Sequence, residues 1–204
     1  MDAAPVWTDL KTFPWESFRD RVDILTGGYP CQPFSAAGRR AGKDDPRHLW
    51  PWIADGIAAM RPRVCFFENV EGHISLGLSD VIKDLAGMGY RTTWGIFSAS
   101  ECGAPHQRKR VFILAHDQSE RIQRLWSAWK QEPQAPSQSF LFGCSSPGAD
   151  WTDGTTESIL LRMDDGGPDW VDRMRLLGNG VVPATAALAF TTLLNEQRNP
   201  RHLA

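Results

Sequence analysis

Short apolar runs alternate with amphipathic stretches through the first half of the chain, a pattern that favours an α/β fold. The apolar runs predict four strands, at residues 22–25, 64–67, 90–99 and 111–115. Apolar positions at helical spacing predict helices over residues 49–60 and 78–88, and a last helix that begins at Pro183, a favoured first-turn residue. The runs at 64–67 and 111–115 are continuously apolar, which is typical of strands buried on both faces of a parallel sheet.

A cysteine stands where the first predicted strand stops. This strand is expected to be short and buried, and Gly27 and Gly28 to release the backbone from the sheet before Pro30-Cys31-Gln32-Pro33. The two prolines restrict the backbone on either side of the thiol. Because catalytic groups gather at the carboxyl ends of strands in open α/β sheets, Cys31 is a candidate nucleophile. The alternative is a small, half-buried structural thiol.

A carboxylate and two arginines accompany the other predicted strands. Glu68 comes where the 64–67 run ends, and burial there would raise its pKa, unless it caps or pairs locally. Arg108 and Arg110 lie in a loop before the 111–115 strand, and i, i+2 spacing in extended backbone would put both on one face, suited to a phosphate or carboxylate. A solvated loop is the alternative. With each group following its own strand of one parallel sheet, thiol, carboxylate and arginines would converge on one cleft.

Composition narrows the class of protein. The 204 residues carry a net charge of -2, so any nucleic-acid contact rests on local basic clusters such as the one in the loop at residues 34–47, which is rich in Gly, Ser, Ala and charged residues. The alternative is that this loop is only solvated. Four scattered cysteines without a CxxC pair indicate neither a disulfide framework nor a zinc site. No apolar run approaches the length of a membrane span. We therefore expect a soluble cytoplasmic protein without a metal.

Four sequence blocks occur in the order seen in C5-cytosine DNA methyltransferases, and the phage-type or restriction-associated members are the most similar. The blocks are GYPCQPFS at 28–35, ENV at 68–70, RKR at 108–110 and GNGVVP at 178–183. The resemblance implies an incomplete doubly wound, Rossmann-like methyltransferase sheet. It also implies S-adenosylmethionine as methyl donor and double-stranded DNA as partner, with the target cytosine flipped out of the duplex because a thiol cannot reach C6 inside the stack.

The resemblance implies a role for each matching residue. Cys31 would attack C6 of the cytosine, Glu68 would hold the N3 and amine edge, and Asn69 would orient the loop of that glutamate. Arg108 and Arg110 match the paired arginines near the cytosine carbonyl. The residues expected to contact DNA are Gln32, Ser35, Arg39, Arg40 and Lys43. Those expected to line the S-adenosylmethionine pocket are Asp9, Pro30, Leu49 and Asn179.

The chain also departs from the family pattern. His106 stands where many relatives have glutamine, and the target-recognition region, residues 117–167, is short and irregular between the two parts of the catalytic domain, residues 1–116 and 168–204. No strand, glycine-rich turn and helix precede Asp9, although that strand is central in the family and its loss would leave unpaired edges. We therefore expect a fragment or one part of a split enzyme, completed by a second polypeptide. A non-catalytic DNA-binding remnant and an RNA cytosine-C5 methyltransferase stay open as alternatives.

Overall fold

A computed structural model describes residues 5–30, 49–104, 107–118 and 180–198. Its strands are β1 (Ile24–Gly28), β2 (Val64–Val70), β3 (Tyr90–Phe97) and β4 (Arg110–Asp117). Its α-helices are α1 (Trp50–Met60), α2 (His73–Leu76), α3 (Leu78–Gly87) and α4 (Pro183–Arg198). Single turns of 3-10 helix occur at Leu10–Thr12, Trp15–Phe18 and Ala99–Cys102. The predicted helices at 49–60, 78–88 and from Pro183 are confirmed as α1, α3 and α4.

The four strands form one mixed sheet in the order β1-β2-β4-β3. β1 and β2 are parallel, whereas β4 runs antiparallel to both β2 and β3. β1, β2 and β3 therefore point the same way and β4 is reversed. The α/β class is confirmed, but the prediction of one parallel sheet is wrong for β4. The apolar run of β4 indicates that the strand is buried on both faces, because it lies between β2 and β3. Such a run does not indicate the direction of the strand.

Helices cover both faces of this sheet. Successive residues of β4 point to opposite sides, so Val111 and Ile113 belong to a core cluster with α1 and α3, while Phe112 and Leu114 pack with α4. The sheet is thus the middle layer of three, as in the doubly wound arrangement expected from the sequence. Within the described ranges, no helix is long and apolar enough to cross a membrane.

β1 differs from the prediction in position and in burial. It begins at Ile24 and continues through Gly27 and Gly28, which pair with Phe67 and Glu68 of β2. All of its residues except Leu25 are exposed. The predicted buried strand at 22–25 and the release of the backbone at the glycines are therefore wrong. Pairing with β2 keeps both glycines extended, and glycine has no side chain to bury.

The segment before β1 packs on α1 although its sequence shows no regular period. The Trp15 ring lies so close to Gly56 of α1 that a Cβ there would be 2.6 Å from it. Phe13 stacks on Phe18 and contacts Trp7 edge-on, with ring centroids 5.1 and 5.9 Å apart. This aromatic group fixes the 3-10 turns against the helix. The predicted target-recognition region, from residue 119 onward, and the predicted loop at 34–47 lie outside the described residues.

Candidate active site

The carboxyl ends of three strands and the amino end of β4 meet at one edge of the sheet. Glu68 on β2 pairs with Gly28 on β1 to one side and with Phe112 on β4 to the other. Arg110, the first residue of β4, lies opposite Val70 and Phe97. Reversal of β4 thus brings the first residue of that strand to the edge where β1, β2 and β3 end.

Glu68 and Arg110 form an ion pair at this edge. Arg110 Nε lies 2.9 Å from Glu68 Oε1, and the two side chains are 21% and 17% exposed. Glu68 is within β2, not after it as the sequence suggested, because β2 continues to pair with β4 as far as Val70. Its other carboxylate oxygen, Oε2, lies over Gly28, 3.2 Å from where a Cβ would be.

Burial raises the pKa of Glu68, and the charges of Arg110 and Arg108 oppose this rise without cancelling it. The expectation of a raised pKa is therefore confirmed, even though the carboxylate is paired. A carboxyl whose pKa is raised holds its proton to higher pH than an ordinary glutamate and is suited to proton exchange with a bound base. The arginine beside it keeps the charged form accessible.

Arg108 does not lie in extended backbone as predicted. Its φ angle is 37°, in the left-handed region, so i, i+2 alternation with Arg110 does not hold. Its guanidinium donates a 2.7 Å hydrogen bond to the carbonyl of Gly180 and thereby connects the loop before β4 to the chain before α4. Burial and the charge of Arg110 lower the pKa of Arg108, while Glu68 raises it. Both arginines are therefore within electrostatic reach of the glutamate.

Asn69 is 3% exposed and contacts the chain that precedes Cys31 in sequence. Its Nδ2 donates to the carbonyl of Tyr29 over 3.1 Å, and its Oδ1 accepts from the amide of Val70 over 2.9 Å. The residue beside the glutamate on β2 thus holds the backbone immediately before Pro30.

Tyr29 and His73 are two site residues that the sequence reasoning missed. The Tyr29 hydroxyl and His73 Nε2 are 2.9 Å apart in a buried hydrogen bond. Burial lowers the pKa of His73, which favours the neutral imidazole. In the sequence, Tyr29 directly precedes the Pro-Cys pair and His73 follows the ENV block by three residues. Neither position is distinctive alone, so the sequence did not predict their hydrogen bond.

Three of the four residues expected to line a cofactor pocket are described. Asp9 is exposed and its carboxylate accepts from the amide of Lys11 over 3.0 Å. Its neighbour Leu10 and the half-buried Leu49 both pack against the core cluster that contains Tyr29, the residue before exposed Pro30. A carboxylate acceptor and an apolar side chain such as Leu49 are residue types that suit the adenosine half of S-adenosylmethionine, which offers an amino group and an aromatic face.

Seven predicted site residues, and also His106, lie outside the described residues. They are Cys31, Gln32, Ser35, Arg39, Arg40, Lys43, His106 and Asn179.

The fold and the Glu68–Arg110 pair define an α/β protein with a carboxylate site at the ends of its strands. Comparison with known proteins identifies its family. The model of the C-5 cytosine-specific DNA methylase family matches residues 5–150. The chain therefore belongs to the C-5 cytosine-specific DNA methylase family.

The chain aligns with only part of the length of each relative. The type II methyltransferase M.NaeI of Lentzea aerocolonigenes is 38% identical over 98 residues, which are 46% of this chain and 24% of that protein. The type II methyltransferase M.NgoMIV of Neisseria gonorrhoeae is 33% identical over 111 residues, 52% of this chain and 35% of that protein. The crystal structure of the S. pombe Dnmt2 methyltransferase aligns at 26% identity with a TM-score of 0.46, covering 55% of this chain and 36% of the other. The chain spans about a quarter to a third of the length of the curated relatives it matches.

Proposed function

We propose that the chain carries the catalytic part of a DNA (cytosine-5)-methyltransferase, which methylates C5 of a flipped cytosine through a covalent adduct with Cys31. The observation that carries this proposal is the Glu68–Arg110 pair, which lies beside Gly28, three residues before Cys31 in sequence. Membership in the C-5 cytosine-specific DNA methylase family supports the reaction class.

The reaction needs a nucleophile and an acid on opposite parts of the pyrimidine ring. The Cys31 thiolate bonds to C6, the electron pair of the C5–C6 double bond forms a C4–C5 double bond, and the C4–N3 π pair moves onto N3, which takes the proton of the Glu68 carboxyl. C5 thereby becomes nucleophilic. After methylation, loss of the C5 proton to solvent and departure of the Cys31 sulfur restore the ring, and the N3 proton returns to Glu68. The raised pKa of Glu68 supports its role as the proton donor.

S-adenosylmethionine supplies the methyl group when it is bound. We propose that Asp9, Pro30, Leu49 and Asn179 hold it. Leu49 packs against the core cluster, and Asp9 and Pro30 adjoin in sequence two residues of that region, Leu10 and Tyr29. Gln32, Ser35, Arg39, Arg40 and Lys43 are the proposed DNA contacts.

The proposed domain division keeps residues 1–116 and 168–204 in the catalytic domain and residues 117–167 as the target-recognition region. Support comes from α4, which follows the second region in sequence and packs against the same sheet through Ala189, Leu193 and Leu194. Arg108, from the first part of the proposed catalytic domain, also donates a hydrogen bond to the carbonyl of Gly180 in the second part.

A second polypeptide is proposed to complete the enzyme by adding a strand beside β1. In the part of the chain that the structure describes, β1 pairs with β2 on one edge only, and most of the strand is exposed. An edge of this kind presents backbone donors and acceptors that another strand can satisfy.

The test is covalent trapping on DNA that carries 5-fluorocytosine, which blocks the final elimination. Purified chain is mixed with S-adenosylmethionine and the duplex, alone and with the N-terminal segment of a type II relative such as M.NaeI, and adducts are counted on a denaturing gel. We expect an adduct with the added segment and none after Cys31→Ser.

Each other outcome decides one part of the proposal. Methyl transfer by the chain alone would contradict the need for a second polypeptide. DNA binding without an adduct in either mixture would reject catalysis in favour of a DNA-binding remnant. Faster transfer to an RNA duplex than to DNA would reject the DNA substrate.

A further inference from the structure

Tyr29 is held at two points just before the proposed nucleophile. Its carbonyl accepts from Asn69 Nδ2 and its hydroxyl bonds to His73 Nε2, at 3.1 and 2.9 Å. Both partners belong to the short segment that follows Glu68, so the chain before Cys31 is connected to the chain that carries the proposed acid.

The side chain of Tyr29 is also enclosed. Its ring contacts the rings of Trp50, Phe67 and His73, with centroids 5.4, 5.9 and 5.5 Å away. The His73 ring in turn lies against Gly77, where an added Cβ would be 3.0 Å from Cε1. These contacts restrict both rings, which favours a defined geometry for the hydrogen bond between them.

The side chains of β1 contribute little to fixing the start of the reactive segment. Gly27 and Gly28 carry no side chains and are held through backbone pairing with β2, and the strand is largely exposed. Tyr29 is buried, at 7% exposure, whereas the residues on either side of it, Gly28 and Pro30, are exposed. The orientation of the chain as it leaves the sheet therefore depends on this pairing and on how Tyr29 is held.

We propose that Tyr29 and His73 are a positioning pair, whose hydrogen bond aligns the Pro30-Cys31 segment so that the thiol meets C6 of the cytosine while Glu68 engages N3. This inference rests on the proposed function. Neither residue touches the base, and the pair acts through the backbone between Tyr29 and Cys31. A purely structural role would predict loss of stability without a specific loss of adduct formation.

Tyr29→Phe tests the proposal because it removes only the hydroxyl oxygen and keeps the ring packing. The matched control is Tyr90→Phe. Tyr90 is the other tyrosine of the chain, is 2% exposed, and donates to the carbonyl of Pro62 over 2.6 Å at the opposite end of the sheet. Both variants lose one buried hydrogen bond, so both are expected to lower the urea midpoint of unfolding by similar amounts.

The decisive measurement is the rate of covalent trapping at saturating 5-fluorocytosine DNA in the reconstituted mixture. We expect Tyr29→Phe to slow trapping about tenfold with DNA affinity unchanged, and Tyr90→Phe to leave the rate within about twofold. His73→Gln, whose amide can still bond to the hydroxyl, should retain most of the rate, while His73→Leu should match Tyr29→Phe. Equal rates in the two tyrosine variants would overturn the proposal.

A second measurement separates this proposal from the proposed function. Amide hydrogen exchange of the peptide spanning residues 24–31 needs neither DNA nor cofactor. We expect exchange to rise several-fold in Tyr29→Phe and to stay unchanged in Tyr90→Phe. If wild type forms no adduct but this difference is seen, the catalytic function fails and the anchoring of the segment stands. If exchange is the same in both variants, the positioning pair is wrong whatever the activity.

Discussion

Replacing Arg110 with methionine removes the ion-pair partner of a largely buried carboxyl and keeps most of the apolar stem. Arg110 Nε and Glu68 Oε1 are 2.9 Å apart, and the two side chains are 21% and 17% exposed. Breaking a fully buried pair costs about 3–5 kcal/mol. Because both groups keep some contact with water and Arg108 still acts on the glutamate, we expect a loss of about 2 kcal/mol in the free energy of unfolding at neutral pH.

The loss should depend on pH in a defined direction. Arg110 lowers the pKa of Glu68 through its charge and its hydrogen bond, so the pKa rises further in the variant. A carboxyl whose pKa is higher in the folded than in the unfolded protein favours folding fully below the ordinary glutamate value of 4.5, and this contribution is lost as pH rises through the folded pKa. The deficit of the variant is therefore small in acid and grows toward neutral pH.

Urea unfolding followed by tryptophan fluorescence at several pH values between about 4 and 8 measures this dependence. The matched control is Arg63→Met, which breaks the 2.7 Å contact of Arg63 with Asp23, an acid whose side chain is 60% exposed. That change should cost less than about 1 kcal/mol. Adding Glu68→Gln to Arg110→Met should restore most of the stability at neutral pH. Equal losses in the two arginine variants, or a deficit that shrinks as pH rises, would refute the reasoning.

Three further substitutions test separate contacts. Gly56→Ala should lower the free energy of unfolding, measured in urea, by about 1–2 kcal/mol. The new Cβ would lie 2.6 Å from the Trp15 ring, and this overlap outweighs a helix-propensity gain of about 1 kcal/mol. A more stable variant would show that the aromatic group does not pack there. Gly28→Ala should change stability by less than about 1 kcal/mol but slow trapping several-fold, because its Cβ would lie 3.2 Å from Glu68 Oε2; an unchanged rate would place the carboxylate elsewhere. Asn69→Ala should cost about 1–2 kcal/mol and slow trapping as well, and normal trapping in a destabilised variant would contradict its contact with the chain before the Pro-Cys pair.

The sequence predicted the elements whose residues are buried in a regular pattern. α1, α3, α4 and the central strands β2 and β4 were found because apolar side chains recur at the period of each element. β1 was misplaced because its glycines give no such pattern, and its pairing with β2 is made by backbone groups that any sequence possesses. The direction of β4 was likewise not encoded in its apolar run.

The candidate site was predicted residue by residue but not contact by contact. Glu68, Asn69 and Arg110 were expected beside strand ends and lie in the ends of β2 and β4, and the raised pKa of Glu68 followed from burial. The left-handed backbone of Arg108 and the bond between Tyr29 and His73 were not predictable in this way. They depend on how two turns approach each other in space, and local sequence pattern carries no information about that distance.

The uneven spacing of strand partners along the chain has a consequence for how the molecule folds. Phe97 pairs with Arg110 across a short connection, whereas Ile24 must find Val64 across a long one. Closing the longer loop is entropically less favourable, and non-local pairings form more slowly. We expect the β3–β4 hairpin to form early and β1 to join late, so that the strand leading to the proposed nucleophile is the last part of the sheet to assemble. The geometry that the proposed reaction needs would then form at the final folding step, after the rest of the sheet has assembled.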